Sequence, residues 1–373
     1  MKLVHVVDSL DAVGGVQTYL QQLVPGLRGR GIESVLVTAA EVPGLDDDGA
    51  TLPAETIARF DTLLAGERPD ACLLHLAPSP AVALAAAARA PTLAFAHDYA
   101  MVCPGNARHL HRSNRFCAEG PGLRCFRRAY TERSTNRRPD RLARAYRRAG
   151  AWPAAWPSLA RVLVASPFVG DVLARDGVPA ERIRVVAYPV APPPAAEPER
   201  AADVLFVNRL VAAKGVHVLL RALAGLDGVS VAIAGDGPER PHLESLAAEL
   251  GVDARFLGWV DGDRRAALLR GCRVFAFPSL WQEPFGIAGV EALAAGIPVV
   301  ASAVGGVPSW LEDGRGGLLV PPGDPPALAA AIRRVLDEPS LAESLAAAGP
   351  QAAERFSLDA HLDLLVPELE AFA

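Results

Sequence analysis

Lysine is almost absent from this chain. Lysine and arginine together number 37 among 373 residues, and only Lys2 and Lys214 are lysines. Heavy use of alanine, glycine and proline accompanies the preference for arginine, which indicates strong codon bias. A lysine that persists against such bias inside a motif is a candidate functional residue, and Lys214 is in that position.

Long apolar runs and paired cysteines are missing as well. The most apolar stretch, residues 73–96, is broken by prolines and an arginine and falls short of a membrane span. The N-terminus runs directly into a strand-like pattern, without a charged leader or a cleavage site. The five cysteines are odd in number and none is spaced as CxxC, so the sequence predicts neither a disulfide framework nor a zinc knuckle. We expect a soluble, cytoplasmic protein with reduced thiols.

Positive charge is concentrated in one segment, although the formal net charge of the chain is −5. Residues 108–148 contain thirteen arginines against three acidic residues, a net charge of about +10. One face of the protein should therefore attract anions. A phosphorylated lipid, an acidic sugar and an anionic membrane surface are compatible ligands, and a solvated helix face is the alternative.

Three cysteines and two histidines lie in or beside this basic segment. A small metal site or a redox cluster is conceivable there, but the irregular spacing favours ordinary loop residues, and we expect no metal. These residues are Cys103, Cys117, Cys125, His109 and His111.

Short apolar and β-branched runs alternate with helix-length segments throughout the chain. This alternation predicts an α/β fold with parallel sheets covered by helices on both faces. A proline-rich stretch, 188–199, interrupts the pattern and indicates a semi-rigid linker. The predicted strands are 3–7, 34–38, 71–76, 92–97, 161–165 and 183–187 before the linker, and 203–207, 229–234, 254–257, 273–277, 298–302 and 317–320 after it.

The linker predicts two Rossmann-like, doubly wound domains, over residues 1–190 and 199–355. A C-terminal helix at 358–373 is expected to pack back on the first domain. Two such domains facing each other create a cleft between the carboxyl ends of their strands, where these sheets usually bind ligands. Functional residues are therefore expected in the strand-to-helix turns.

A glycine pair, Gly14 and Gly15, follows the first predicted strand and precedes a helical run. Paired glycines there let backbone N–H groups approach a phosphate at the positive end of the helix dipole, although a plain turn explains them equally well. The pattern is not GxGxxG, and no acidic residue follows the second strand. A nicotinamide oxidoreductase is therefore disfavoured.

Arg209 and Lys214 follow the first strand of the second predicted domain. At the carboxyl edge of the sheet, an arginine fork and a lysine point charge can converge on one anion and suit a diphosphate leaving group without a metal. Two solvated surface cations are the alternative, which the scarcity of lysine disfavours.

Glu283 and Glu291 flank a later turn, in which Pro284 and Gly286 lead into a helix with free N–H groups. On a single helix, eight residues would separate the two carboxylates by about 12 Å, too far for the roughly 5 Å pair of a retaining glycosidase. We therefore predict two hydroxyl-binding carboxylates. Considered separately, either glutamate could instead be a helix-capping residue or an ordinary surface residue.

Together these motifs resemble the retaining glycosyltransferases of the GT-B fold known as family 4, over nearly the whole chain. Asn208 replaces the glycine usual before the arginine, and Gln17 replaces the glutamate usual after the glycine pair; both departures bear on donor or acceptor preference. The resemblance lies in GGVQ at 14–17, NRLVAAKG at 208–215, AGDGPE at 234–239, FLGWV at 256–260 and, most specifically, Glu283-PFGIAGV-Glu291 followed by ALAAGIPVVAS.

The resemblance implies a role for each candidate residue. Arg209 and Lys214 would bind the donor diphosphate. Glu283 would contact hydroxyls of the transferred sugar, and Glu291 would hold the ribose hydroxyls. The other implied contacts are Gly14 and Gly15 on phosphate, His97 facing the transferred sugar, and the backbone of Phe285, Gly286 and Ile287 on sugar and phosphate.

The expected function is transfer of a hexosyl unit from a nucleoside-diphosphate sugar to a hydroxyl acceptor, with retention and without a metal or cofactor. The acceptor would be a glycan, a lipid-linked group or a small molecule, and no nucleic acid is involved. Peripheral contact with the inner membrane face stays open. The Asp261-Gly262-Asp263 run indicates a turn and helix cap. A nucleotide-sugar 2-epimerase and a non-catalytic sugar-nucleotide-binding subunit are the rival interpretations.

Overall fold

A computed structural model describes residues 1–7, 15–45, 49–75 and 79–372. The chain divides into two compact units, one formed by Met1–Pro189 with Leu358–Ala373 and the other by Val190–Ser357. Each unit is built on its own parallel sheet. The predicted fold class, two Rossmann-like α/β domains, is confirmed.

The strands of the first unit are β1 (Lys2–Val6), β2 (Glu33–Val37), β3 (Ala71–His75), β4 (Thr92–Ala96), β5 (His109–Leu110), β6 (Arg115–Phe116), β7 (Arg161–Val164) and β8 (Ile183–Val185). Six of them form a parallel sheet in the order β2-β1-β3-β4-β7-β8, and β5 and β6 form a small antiparallel hairpin. β3 and β4 are buried at every position, as expected for central strands covered on both faces.

The helices that cover this sheet are α1 (Gly15–Gly29), α2 (Ala54–Glu67), α3 (Pro80–Ala87), α4 (Arg124–Thr131), α5 (Pro139–Ala155) and α6 (Pro167–Arg175). Ser-Pro pairs begin two of them. The Ser79 side chain accepts a hydrogen bond from the backbone of Ala81, and Ser166 accepts one from Val169. Serine satisfies a free N–H group while proline presets φ in the first turn, so each pair fixes a helix start.

The second unit contains the strands β9 (Val204–Val207), β10 (Val231–Ala234), β11 (Ala254–Gly258), β12 (Val274–Phe277), β13 (Val299–Ser302), β14 (Glu312–Asp313) and β15 (Gly316–Val320). They form one parallel sheet in the order β11-β10-β9-β12-β13-β15-β14. Its helices are α7 (Val216–Leu223), α8 (Arg240–Leu250), α9 (Gly262–Gly271), α10 (Ile287–Ala294), α11 (Pro325–Asp337) and α12 (Pro339–Ala353).

The last helix, α13 (Leu358–Glu370), belongs to the first unit, where it packs against α1. Tyr19 of α1 and His361 of α13 are hydrogen-bonded at 3.0 Å between the tyrosine hydroxyl and Nε2. Arg30 donates to Asp363 at 2.8 Å. A buried polar bond therefore joins the two helices, and a surface ion pair joins α13 to the residue that follows α1.

Every predicted strand is present, with its ends shifted by at most two residues. The sequence does not predict β5, β6 or β14, because a two-residue strand carries no periodicity. The proline-rich stretch 188–199 contains no helix or strand, and its first two residues lie in the first unit, within the predicted domain bounds 1–190. Tyr188 is buried and belongs to the first unit, because an aromatic side chain beside the sheet is more stable packed than exposed.

Candidate functional site

The two most specific motifs meet at the centre of the second sheet, because β9 and β12 are neighbours. The chain runs outward from β9 through β10 to β11, then returns to β12 on the other side of β9. Such a reversal is a topological switch point, where parallel sheets bind ligands beyond the carboxyl ends of their strands. The loop after β9 contains Arg209 and Lys214, and the loop after β12 contains Glu283. Residues 208–215 and 278–294 are called the switch-point site below.

Lys214 and Glu283 form a nearly buried ion pair between these two loops. Lys214 Nζ lies 2.6 Å from Glu283 Oε1, and the two side chains are 15% and 5% exposed. Ser279 Oγ donates to the same carboxylate oxygen at 2.7 Å. Nζ also lies 5.0 Å from the ring centroid of Trp281, which is within the range of a cation–π contact. An ammonium group has three donors, so Lys214 can bind an anion while it keeps Glu283.

Arg209 lies on the same loop as Lys214, but its side chain is exposed. Within the described ranges its guanidinium has no carboxylate partner, and its backbone N–H donates to Asn208 Oδ1 at 2.9 Å. The loop ends at Gly215, whose φ of +72° favours glycine and where a Cβ would lie 1.9 Å from the carbonyl oxygen of Pro278. The close approach of the two loops therefore depends on Gly215. Among the described residues, the Arg209 guanidinium at this sheet edge has no carboxylate partner.

The turn before α10 is fixed by an indole. Trp310 Nε1 donates to the carbonyl oxygen of Phe285 at 2.6 Å. Gly286, with φ of +107°, precedes Ile287 at the helix start. A Cβ on Gly289 would lie 2.2 Å from the Trp310 ring. The backbone predicted to hold sugar and phosphate is thus a rigid helix N-terminus, whose first N–H groups have no acceptor within the helix.

Glu291, in the second turn of α10, has a different partner from Glu283. Its Oε1 lies 3.0 Å from Arg265 of α9, and the glutamate side chain is 12% exposed. Its Oε2 is buried without a hydrogen-bond partner in the described part of the chain. Burial raises the pKa of Glu291, and the charge of Arg265 opposes that rise. The two glutamates therefore have different partners, Glu283 a lysine and a serine hydroxyl and Glu291 an arginine.

Two predicted site residues of the first unit, Gly15 and His97, lie within the described ranges. Gly15 begins α1 and is exposed, and no described residue places an atom within 4 Å of a Cβ built on it. Gly14 lies outside the described residues. His97 directly follows β4 and is 9% exposed. The proposed roles of these three residues remain predictions that rest on the resemblance.

His97 belongs to a buried chain of hydrogen bonds that crosses three adjacent strands. His5 Nδ1 lies 2.9 Å from His75 Nε2, and His75 Nδ1 lies 3.3 Å from His97 Nε2. His97 Nδ1 lies 2.5 Å from the Tyr188 hydroxyl, and His5 Nε2 lies 3.2 Å from Ser34 Oγ. Both ring nitrogens of His97 are therefore occupied inside the first unit.

Burial keeps these imidazoles uncharged. It lowers the pKa of His5 to about 4 and that of His97 to about 3. It also lowers the pKa of His75 well below the ordinary value, and the neighbouring histidines lower it further. The rings are neutral near pH 7, so each has one N–H donor and one acceptor nitrogen. A sugar hydroxyl could reach a ring nitrogen of His97 only by replacing one of these bonds.

The basic segment 108–148 is only partly a solvated surface. Arg108 is buried and paired with Asp176, and Arg148 is buried with its guanidinium on Asn106. The expectation of one anion-attracting face was therefore too broad, because these two charges are used inside the fold. Ten other arginines of the segment are exposed: 112, 115, 124, 127, 133, 137, 138, 141, 144 and 147. In the described part of the chain, no helix is long and apolar enough to cross a membrane.

The cysteines of this segment line one small cavity. Cys103, Cys117, Cys125 and His109 are on its wall. Among the described residues, however, no three histidine, cysteine, aspartate or glutamate side chains are grouped as ligands of one metal ion.

The prediction that the Asp261-Gly262-Asp263 run forms a turn and helix cap is confirmed. The Asp261 carboxylate caps α9 by accepting the backbone N–H of Arg264 at 2.8 Å.

Three residues of the switch-point site and its surroundings were missed from the sequence. Ser279 could have been suspected, because it lies in the loop just after β12, four residues before Glu283. Arg265 and Trp310 carry no local signal, since each reaches the site from a separate element. Their importance becomes visible only when the strand order brings α9, α10 and the loop after β13 together.

Both units of the chain match families of known proteins. A family model described as glycosyl transferases group 1 matches residues 191–352, and one described as a glycosyl transferase 4-like domain matches residues 14–189. A phosphatidyl-myo-inositol mannosyltransferase of Mycobacterium leprae is 32% identical over 354 residues, which are 93% of this chain and 90% of that protein.

Two solved structures show the same fold. Sucrose-phosphate synthase from Thermosynechococcus elongatus has a TM-score of 0.72 and 21% identity over 99% of each chain. The Anabaena protein HepE, solved in complex with UDP-glucose, has a TM-score of 0.69 and 19% identity over 100% of each chain. Since each family model covers one unit and a 32% identical relative matches almost end to end, the chain belongs to the group 1 glycosyltransferases of GT-B fold, enzymes that transfer a sugar from a nucleotide sugar.

Proposed function

We propose that the enzyme transfers a hexosyl unit from a nucleoside-diphosphate sugar to a hydroxyl acceptor, with retention of anomeric configuration and without a metal. The observation that carries the proposal is the Lys214–Glu283 ion pair at the switch point, beside the N-terminus of α10. In this proposal Lys214 would bind phosphate and Glu283 would bind sugar hydroxyls, and the observed 2.6 Å contact between the two groups supports a shared site.

The chemical step breaks the bond between the anomeric carbon and the diphosphate oxygen. Negative charge builds on that oxygen, and Lys214, Arg209 and the first N–H groups of α10 would stabilise it. Two side-chain cations and a helix N-terminus supply the positive charge that a divalent ion would otherwise provide. Metal independence follows from this proposed charge balance. The leaving phosphate itself would accept the proton of the acceptor hydroxyl.

Recognition of the donor would be divided between the two glutamates. Glu283, held by Ser279 and Lys214, would accept hydrogen bonds from hydroxyls of the transferred sugar. Glu291 has a buried oxygen without a partner among the described residues, which suits a ribose hydroxyl. The neighbour HepE was solved with UDP-glucose, and this supports a uridine or related nucleoside diphosphate as the donor class.

The acceptor is proposed to be an anionic or lipid-linked hydroxyl compound that meets the basic segment of the first unit. Leu123 is 81% exposed and Tyr130 is 52% exposed, and they flank the exposed Arg124 and Arg127 of α4. Apolar side chains beside arginines favour the surface of an anionic membrane. The M. leprae relative is named for a phosphatidyl-myo-inositol acceptor, which supports the same class. We propose peripheral membrane contact at the cytoplasmic face.

Product analysis tests the reaction. The enzyme is incubated with UDP-, GDP-, ADP- and TDP-sugars and with anionic phospholipid vesicles, with and without EDTA, and products are followed by proton NMR. The account predicts one nucleoside diphosphate as leaving group, a glycosylated lipid with the anomeric configuration of the donor, and no effect of EDTA. An inverted product, loss of activity in EDTA, or an epimerised nucleotide sugar formed without acceptor would contradict it.

A further inference from the structure

We propose that Arg265 is a positioning residue of the donor site, which fixes Glu291 so that one carboxylate oxygen is left for the ribose hydroxyls. The inference rests on the proposed function, because it assumes that Glu291 binds ribose. Arg265 lies in α9 and Glu291 in α10, so the ion pair joins two helices of the second unit.

The two oxygens of the Glu291 carboxylate are not equivalent. Oε1 is 3.0 Å from a guanidinium nitrogen of Arg265, whereas Oε2 is buried and has no hydrogen-bond partner in the described ranges. A buried acceptor without a donor is unfavourable in a folded protein, so such an atom marks a place where a ligand donor is expected. The vicinal hydroxyls of a ribose are donors of this kind.

Arg265 contributes in two ways to this arrangement. It occupies Oε1, which turns the carboxylate plane and defines where Oε2 lies. It also favours the ionised form of the buried carboxylate, because its charge opposes the rise in the pKa of Glu291 that burial causes. An ionised carboxylate accepts hydrogen bonds more strongly than a neutral acid. Loss of Arg265 should therefore weaken ribose recognition specifically and leave contacts to phosphate and sugar unchanged.

The adjacent residue provides a matched control. Arg264 is on the same helix, carries the same charge and is 44% exposed, against 39% for Arg265. Its guanidinium pairs with Glu199 at 2.9 Å and does not contact Glu291. Arg264→Ala and Arg265→Ala therefore remove the same net charge from the same region. Any difference between them reports the contact with Glu291 and not the general attraction of an anionic nucleotide.

The experiment measures how strongly each variant distinguishes a ribose from its dideoxy analogue. Isothermal titration calorimetry is performed with UDP, GDP and ADP and with their 2′,3′-dideoxy forms on the full chain. We expect wild type and Arg264→Ala to prefer the ribose form of the bound nucleotide about tenfold or more, which is the scale of a hydrogen bond to a charged group. Arg265→Ala should reduce that preference to about threefold or less, with little change in affinity for the dideoxy form.

Two further variants separate failure of this inference from failure of the proposed function. Glu291→Gln should lose the ribose preference, and Arg265→Lys should restore part of it. If Glu291→Gln keeps the full preference, the ribose role of Glu291 is wrong. If Glu291→Gln loses it while Arg265→Ala and Arg265→Lys both keep it, the positioning role of Arg265 is overturned and the ribose role stands. Thermal melts establish whether each variant is folded. If Arg265→Ala does not fold, the ribose preference of Arg265→Lys tests the positioning role instead.

Discussion

Lys214 and Glu283 are 69 residues apart in the sequence, yet Nζ of the lysine lies 2.6 Å from Oε1 of the glutamate. The pair exists because β9 and β12 are adjacent and each ends in one of the two loops. Under the proposed function, the cation that binds diphosphate and the carboxylate that binds sugar are electrostatically coupled. Neither residue can be removed without leaving the charge of the other nearly buried and unbalanced.

Turnover should depend on both members of this pair. Lys214→Ala and Glu283→Ala are each expected to lower kcat by about 10²- to 10³-fold, the range typical for loss of one group that stabilises developing charge. Lys2→Ala is the matched control, because Lys2 also forms a 2.6 Å ion pair, with Glu67, but outside the site. Initial rates at saturating donor measure the effect. Near-normal turnover in both site variants would refute the site assignment.

Stability should respond to the pair in a non-additive way. Lys214→Met or Glu283→Gln alone should lower the free energy of unfolding by roughly 3 kcal/mol, because one charge remains without its partner in a nearly buried position. The double variant should be less destabilised than the sum of the two single variants. Urea denaturation of the four proteins measures the coupling. Additive effects would show that the two charges do not interact in solution.

A single methyl group should disturb the turn before α10. Gly289→Ala places a Cβ where the Trp310 ring already lies, at 2.2 Å, so either the indole or the helix must move. We expect a loss of about 1–3 kcal/mol in stability and a marked fall in turnover. Gly150→Ala is the control, since Gly150 is also helical and, in the part of the chain that the structure describes, no atom lies within 4 Å of its built Cβ. Equal effects of the two substitutions would contradict this packing argument.

The first unit should lose stability in mild acid. Burial lowers the pKa values of His5 and His361 to about 4, whereas the unfolded chain titrates near the ordinary value of 6.5. Between pH 6.5 and 4 the unfolded state therefore binds more protons, so stability is present above this window and falls as the pH drops through it. Each such histidine contributes about 3 kcal/mol over the window.

His361→Gln tests this dependence. Thermal melts from pH 7.5 to 4 should show a shallower loss of Tm for the variant than for wild type, even if its Tm at pH 7.5 is lower. An unchanged slope would mean that His361 is accessible to protons in the folded state. The slope is diagnostic because it reports proton uptake and not the loss of the hydrogen bonds to Tyr19 and to the carbonyl oxygen of Ala187.

Local patterns predicted much of the fold, and contacts across the fold account for what was missed. The strands and the turns after β9 and β12 follow from apolar periodicity and from glycine and proline positions. The partner of Glu291 does not, because Arg265 reaches it from another helix. The histidine chain depends on the register between β1, β3 and β4, which no single segment encodes. Counting charge overestimated the basic surface, since it could not show that Arg108 and Arg148 are buried.

The central claim is that the switch-point site binds a nucleoside diphosphate without a metal. A thermal-shift screen of wild type and Lys214→Ala with UDP, GDP, ADP, TDP and their sugar conjugates, with and without EDTA, tests it most directly, because a specific ligand raises Tm by mass action. The account predicts a rise with one nucleotide family in wild type, unaffected by EDTA and much smaller in Lys214→Ala. No rise with any nucleotide, a rise abolished by EDTA, or an equal rise in the variant would contradict it.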